Sequence, residues 1–211
     1  MRRLAIVGLI AGGLLLPNTP AAQAATSPNL VKNPGGDAAP GGGDGTALVA
    51  IPNWTRTVNA TTTKYSTGGG FPTASDPGPA NRGVAFFSGG NGGTSTLTQN
   101  LTLSAAHVNK IKTGAVKLNA VAWLGGFAAQ NDSAQFWVTL TGNTGGATIV
   151  KLIGPNAAQR GSVTKFLRKA LTGVAVPANT TKISFQLRFT RVEGSYNDGY
   201  ADALSVVLTG V

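Results

Sequence analysis

The stretch at residues 195–208, SYNDGYADALSVVL, decides how the rest of the chain is read. It opens as a turn, because Asn197, Asp198 and Gly199 bond their own backbone or accept a positive φ. It closes as a strand: Leu204, Val206 and Leu208 alternate with Ser205, Val207 and Thr209. Asp202 stands at the entrance to this apolar run. An unpaired buried carboxylate costs several kcal/mol or more, so Asp202 needs Arg, Lys, backbone N–H groups or a bound cation.

Working outward, period-2 alternation recurs along the chain. The clearest case is 182–192, KISFQLRFTRV, with Ile183, Phe185, Leu187 and Phe189 on one face and Lys182, Ser184, Gln186, Arg188 and Thr190 on the other. Burying those four apolar side chains is worth roughly 1.5–3 kcal/mol each. The stretch 115–124 sets Val116, Leu118, Ala120, Ala122 and Leu124 against Lys117, Asn119, Val121 and Trp123. In 133–141, Ala134, Phe136, Val138 and Leu140 oppose Gln135, Trp137, Thr139 and Thr141. NTGG at 143–146 signals a hairpin to a return strand at 147–153. Further strands are predicted at 29–32, within 55–65, at 83–87 and 94–104, and once or twice within 163–176, with a turn at Thr172–Gly173. AAHVNKIK at 105–112 suits one short helical turn, and 156–161 reads as a loop. Eight to ten strands with Gly, Pro and Asn turns predict an all-β fold of two packed antiparallel sheets.

The first 24 residues read as an export signal: Arg2 and Arg3, an apolar run at 4–16, then Ala22-Gln23-Ala24 as a small-x-small cleavage site. The run is too short to span a bilayer, and no later stretch qualifies as a transmembrane helix. The expected mature chain, 25–211, suits one domain, secreted and without disulfides, since the sequence has no Cys. Without Arg2 and Arg3 it carries 15 Lys and Arg against 7 acids, a balance of +8. That charge is compatible with an anionic polymer as partner or with simple solubility. The tight basic group Lys165, Arg168 and Lys169 has no accompanying aromatic motif, so no specific nucleic-acid binding is expected.

Catalytic constellations are absent. His107 is the only histidine and lacks a neighbouring acid. There is no G-x-S-x-G elbow and no H-E-x-x-H motif. Most of the seven acids sit at turns, a poor basis for a pair of glycosidic carboxylates. The expectation is a protein that is not an enzyme.

Four features together resemble the galactose-binding-like jelly rolls of the carbohydrate-binding-module type, found in exported bacterial proteins. They are NLVK followed by NPGGD at 29–37, Trp54 after a glycine-rich connector at 39–45, DPGPANRG at 76–83 running into FFSGG, and the closing NDGYAD. The resemblance covers nearly the whole mature chain and implies a two-sheet jelly-roll β-sandwich. It also implies that Asp37 and Asp202 meet where the chain ends converge and there hold a structural calcium. The alternative for both is the role of turn acceptor. Binding of a polysaccharide or cell-surface glycan is expected from aromatics set beside polar groups. Trp123 and Trp137, with Asn119 and Gln135, would form such a patch if they share a sheet. The loop candidates are Tyr65, Phe71, Arg82 and Tyr196. The alternative function is an extracellular adhesion or assembly protein that meets an anionic cell-surface polymer or a protein partner.

Overall fold

The computed structural model describes residues 24–38, 44–143 and 145–211. The export signal up to Gln23 and most of the glycine-rich connector lie outside the described residues. Ten strands and two short helices follow in order: β1 (Thr55–Thr57), β2 (Thr61–Lys64), β3 (Ala85–Gly90), β4 (Thr94–Thr102), α1 (Ala105–Ile111), β5 (Lys117–Gly126) and β6 (Ser133–Gly142). The chain continues through β7 (Ala147–Ile153), α2 (Ala157–Arg160), β8 (Lys165–Ala175), β9 (Thr180–Thr190) and β10 (Asn197–Thr209).

The strands form two five-stranded antiparallel sheets. The front sheet runs β1-β4-β9-β6-β7 and the back sheet β2-β3-β10-β5-β8. The expected two-sheet sandwich is therefore present. Alternation in each strand sends one face inward, and the two inner faces complement each other in size. The front sheet contributes Phe136, Phe185, Leu187 and Phe189, while the back sheet contributes Ala120, Ala122, Ala201 and Val206, all fully buried. Large side chains on one layer thus face small ones on the other, which suits close packing between the sheets.

Four details depart from the sequence reading. The stretch 29–32 is not a strand. It lies along β10, where the Asn29 side chain takes ladder positions: its Nδ2 donates to Leu204 O at 2.9 Å and its Oδ1 accepts from Val206 N at 3.0 Å. A second short helix, α2, sits where a loop was expected, closed by an Asn156 capping box and a left-handed Gly161. The stretch 163–176 holds one strand, whose register shift opposite Leu118 and Ala120 absorbs the expected turn. Finally, Asp202 would share a face with Leu204 and Val206 in a regular strand. A bulge between Asp202 and Ser205, with Ala203 at φ 46°, reverses the parity. Asp202 thus points to the outer side of the back sheet while Leu204, Val206 and Leu208 remain in the core.

Candidate functional site

The upper outer face of the back sheet is not exposed. Tyr65, Phe86, Phe166 and Tyr200 form a second, aromatic core there, with Phe71, Trp123 and Phe127 packed against it. The loop between β2 and β3 covers this layer. Arg82 holds the loop in shape, its guanidinium donating to the carbonyls of Thr73, Asp76 and Pro79 at 2.8–2.9 Å and lying 5.1 Å over the Tyr65 ring. Arg82 is thus spent on the loop. Tyr65 is buried, and its hydroxyl donates to Asp202 Oδ2 at 2.6 Å. Neither residue presents itself to an external sugar, which corrects the expectation for both.

Beneath the loop, Asp37 and Asp202 come together. Asp37 Oδ1 accepts from Val84 N at 2.8 Å and Ala85 N at 3.0 Å. Gly35 separates the carboxylates: a Cβ there would lie 2.5 Å from Asp37 Oδ2 and 3.0 Å from Asp202 Oδ1. Burial pushes the Asp202 carboxyl up to about 7, against hydrogen bonds from Tyr65 and Ala203, and the Asp37 charge raises it further. Asp202 is buried and Asp37, beside it, is exposed; burial outweighs the donors of Asp202 and leaves it poorly ionised. Gly35, lacking a side chain, leaves the carboxylate oxygens of Asp37 and Asp202 facing each other, and oxygen donors of this kind suit a hard cation. Among the described residues no cluster of three or more acidic, His or Cys side chains occurs, so a cation here would draw its remaining ligands from carbonyls and water.

The four sheet residues expected to form one patch do not. Trp123 lies on β5 in the back sheet and Trp137 on β6 in the front sheet, so the two indoles belong to opposite layers. Similar alternation made the two strands look like neighbours, but β9 and β7 flank β6 while β10 and β8 flank β5. Trp123 packs against the aromatic layer. Asn119 Oδ1 accepts from Gly173 N at 2.8 Å and pins β8 at its register shift. Trp54 is core: it meets Phe87 edge-on at 5.5 Å and donates its indole N–H to Asn33 O.

Trp137 and Gln135 remain together on the outer face of the front sheet. The indole Nε1 donates to Gln135 Oε1 at 2.8 Å, which fixes the ring, and the Lys151 ammonium lies 4.0 Å from its centroid. Pairing across the sheet builds rows of outer residues. One runs Thr55, Thr98, Gln186, Trp137, Lys151; its neighbour runs Thr57, Thr96, Arg188, Gln135, Ile153. Ile149 and Ile153 on β7 are exposed beside them. Two depressions indent the same sheet. One, of about 330 Å³, lies between Lys32, Asn53, Thr55, Thr98 and Asn100. The other, of about 390 Å³, is lined by Asn100, Thr102, Thr141, Lys182 and Ser184. The face thus offers a fixed aromatic, amides, hydroxyls and cations over a hollowed surface.

A third concavity of about 320 Å³ lies at one end of the sandwich, with Asp44, Asn91, Phe71, Phe127, Tyr196 and Asp198 in its wall. Its polar groups are largely engaged. The Tyr196 hydroxyl donates to Gly45 O at 2.6 Å and lies 3.0 Å from Ser88 Oγ. Asp198 accepts from the Tyr200 hydroxyl, and burial raises its carboxyl above the usual range.

Sequence reasoning missed two buried staples. Asp132 accepts from the backbone N–H groups of Val192, Glu193 and Asp198. Arg160 is fully buried and donates to the carbonyls of Pro155, Phe127, Ala128 and Gln130, with no carboxylate among these partners. Nothing local marks either residue, because their partners are backbone atoms of distant loops.

No family model and no curated protein matches the chain. Solved structures do. The enzymatically active domain of tailspike protein 4 of bacteriophage CBA120 matches 85% of this chain at 14% identity and a TM-score of 0.50. The chain spans only 21% of that tailspike. A family-61 carbohydrate-binding module, solved with β-1,4-galactotriose, matches over 85% of this chain and 98% of its own at 12% identity and a TM-score of 0.48. The xylan-binding domain of a family-22 module matches over 77% and 90% at 11% identity, with a TM-score of 0.43. The likeness is one of fold: the chain is a β-sandwich with carbohydrate-binding modules among its structural neighbours.

Proposed function

We propose that this protein is a secreted, non-catalytic carbohydrate-binding protein whose site is the outer face of the front sheet around Trp137. One observation carries the reading: Trp137 is locked by Gln135 on a surface where its strand neighbours Gln186, Arg188 and Thr98 supply hydrogen-bonding groups at sheet spacing. A pyranose has an apolar C–H face and hydroxyl edges, which an indole flanked by amide and guanidinium groups matches. The end concavity is less suited, because the hydroxyl of Tyr196 and the carboxyl of Asp198 already have partners.

The cation is part of the same proposal. Asp37 and Asp202 would hold a calcium ion, with neighbouring carbonyls, and its charge would keep both carboxylates ionised. It would tie the segment before the first strand to the last strand and so stiffen the sandwich. It takes no part in sugar recognition, since Asp202 lies under the loop on the other sheet.

Affinity electrophoresis of residues 25–211 through a panel of neutral and acidic polysaccharides tests the binding reading. At least one polymer retards the wild type, and Trp137→Ala abolishes the retardation while Trp123→Ala, if folded, preserves it. Retardation that survives Trp137→Ala, or none by any polymer, overturns it.

A further inference from the structure

The front face carries a charge pattern that narrows the ligand. None of its five strands contains an Asp or Glu. The seven acids of the chain all lie in loops or on β10 of the back sheet. Three cations, by contrast, project from the outer face: Lys151 on β7, and Lys182 and Arg188 on β9. Lys32 adds a fourth at the depression beside β4. The strand order thus sets Lys151, Lys182 and Arg188, which are distant in sequence, on one face whose strands carry no acid; the back-sheet strands carry basic residues too, but share their sheet with Asp198 and Asp202.

The position of Lys151 discriminates between ligands. Its ammonium occupies the space over the Trp137 ring at 4.0 Å. A neutral sugar that stacks on this ring displaces the ammonium and forfeits its cation–π contact. A sugar bearing a carboxylate gives the displaced ammonium a counter-ion at the edge of the stacked ring. Arg188, directly across from Gln135, supplies a planar guanidinium suited to a second carboxylate. Its guanidinium makes no hydrogen bond or ion pair with any described residue.

We infer that the front face binds an acidic polysaccharide of uronate units, with one ring stacked on Trp137 and the carboxylates of the chain taken by Lys151 and Arg188. This rests on the reading of that face as the carbohydrate site. It adds that charge on the polymer is favoured, because the aromatic platform is guarded by a cation.

Titration calorimetry with polygalacturonate, its fully methyl-esterified form and dextran sulfate tests the inference on residues 25–211. Polygalacturonate is expected to bind about tenfold or more tighter than the ester. Lys151→Gln/Arg188→Gln should lose about tenfold for the acid, while the ester, which no longer competes with the ammonium for the ring, binds as well as before or up to a few-fold tighter. Arg168→Gln/Lys169→Gln, which removes the same charge from the back sheet, should lose less than about twofold. Circular dichroism melting confirms that each variant is folded. Equal affinity for acid and ester overturns this inference and leaves the carbohydrate reading standing. Equal losses in the two double variants reduce the effect to overall charge and overturn it too, as does tighter binding of dextran sulfate than of polygalacturonate. Failure of all three polymers to bind overturns it, and the carbohydrate reading falls with it if the wider panel also shows no retardation.

Discussion

Asp37 and Asp202 stand on either side of Gly35, one from the segment that precedes the first strand and the other from the last strand. The solvent-exposed carboxylate of Asp37 thereby meets the buried carboxylate of Asp202 at the rim of the sandwich. The folded-state value of Asp202, about 7, lies above its ordinary 3.8, so the ionised form is the one the fold disfavours. Without a cation, stability is highest below the unfolded value and falls as pH rises from about 4 to about 7. The part of this loss that Asp202 contributes is up to roughly 4 kcal/mol. Urea unfolding in chelator across this range should show the decline, and Asp202→Asn should flatten it. Saturating calcium should raise the melting temperature and remove the slope in the wild type alone. A calcium-insensitive midpoint in the wild type contradicts the cation assignment.

Gly35→Ala tests the same pocket through space rather than charge. Its methyl group would intrude between the two carboxylates. The variant is expected to lose the calcium-dependent stabilisation, read as the difference in melting temperature with and without chelator. A wild-type difference would show that the pocket does not house the ion.

Tyr65→Phe removes the hydroxyl that donates to Asp202 Oδ2. A hydrogen bond to a charged group contributes about 1.5–3 kcal/mol, and the loss should appear in urea unfolding at pH 8, where Asp202 is ionised. At pH 4 the cost should shrink, because a protonated Asp202 makes less of the lost donor. Equal costs at the two pH values contradict this account.

Much of the sandwich was legible because it rests on local alternation. The strands at 94–102, 117–126, 133–142 and 180–190 emerge wherever apolar and polar residues trade places. What alternation cannot reveal is which strand lies beside which, so Trp123 and Trp137 looked like partners until the sheet order separated them. The pairing of Asp37 with Asp202 was legible only through the resemblance of the chain's ends to a known fold family. The bulge at Ala203 was not, because no Gly marks its left-handed backbone. Arg82 and Tyr65 read as binding residues from their loop setting, whereas the fold spends them on carbonyls and on a buried carboxylate.

Arg160 measures how much the unseen staples matter. Arg160→Met removes the donor to the carbonyls of Pro155, Ala128 and Gln130, while Phe127 O keeps the Gln130 N–H, in a buried to half-buried site. Several stranded acceptors should cost about 3 kcal/mol or more by urea unfolding. A cost within about 1 kcal/mol would mean that water replaces the guanidinium freely.

The three indole N–H groups, from Trp54, Trp123 and Trp137, offer the most direct view of the proposed face. In a ¹⁵N-labelled sample titrated with oligogalacturonate, the Trp137 indole signal should move together with the backbone amides of Gln135, Lys151, Gln186 and Arg188. The Trp54 and Trp123 signals should stay in place. Movement confined to Trp123, or to Phe71 and Tyr196 at the end of the sandwich, would place the ligand elsewhere and contradict the assignment of the front sheet.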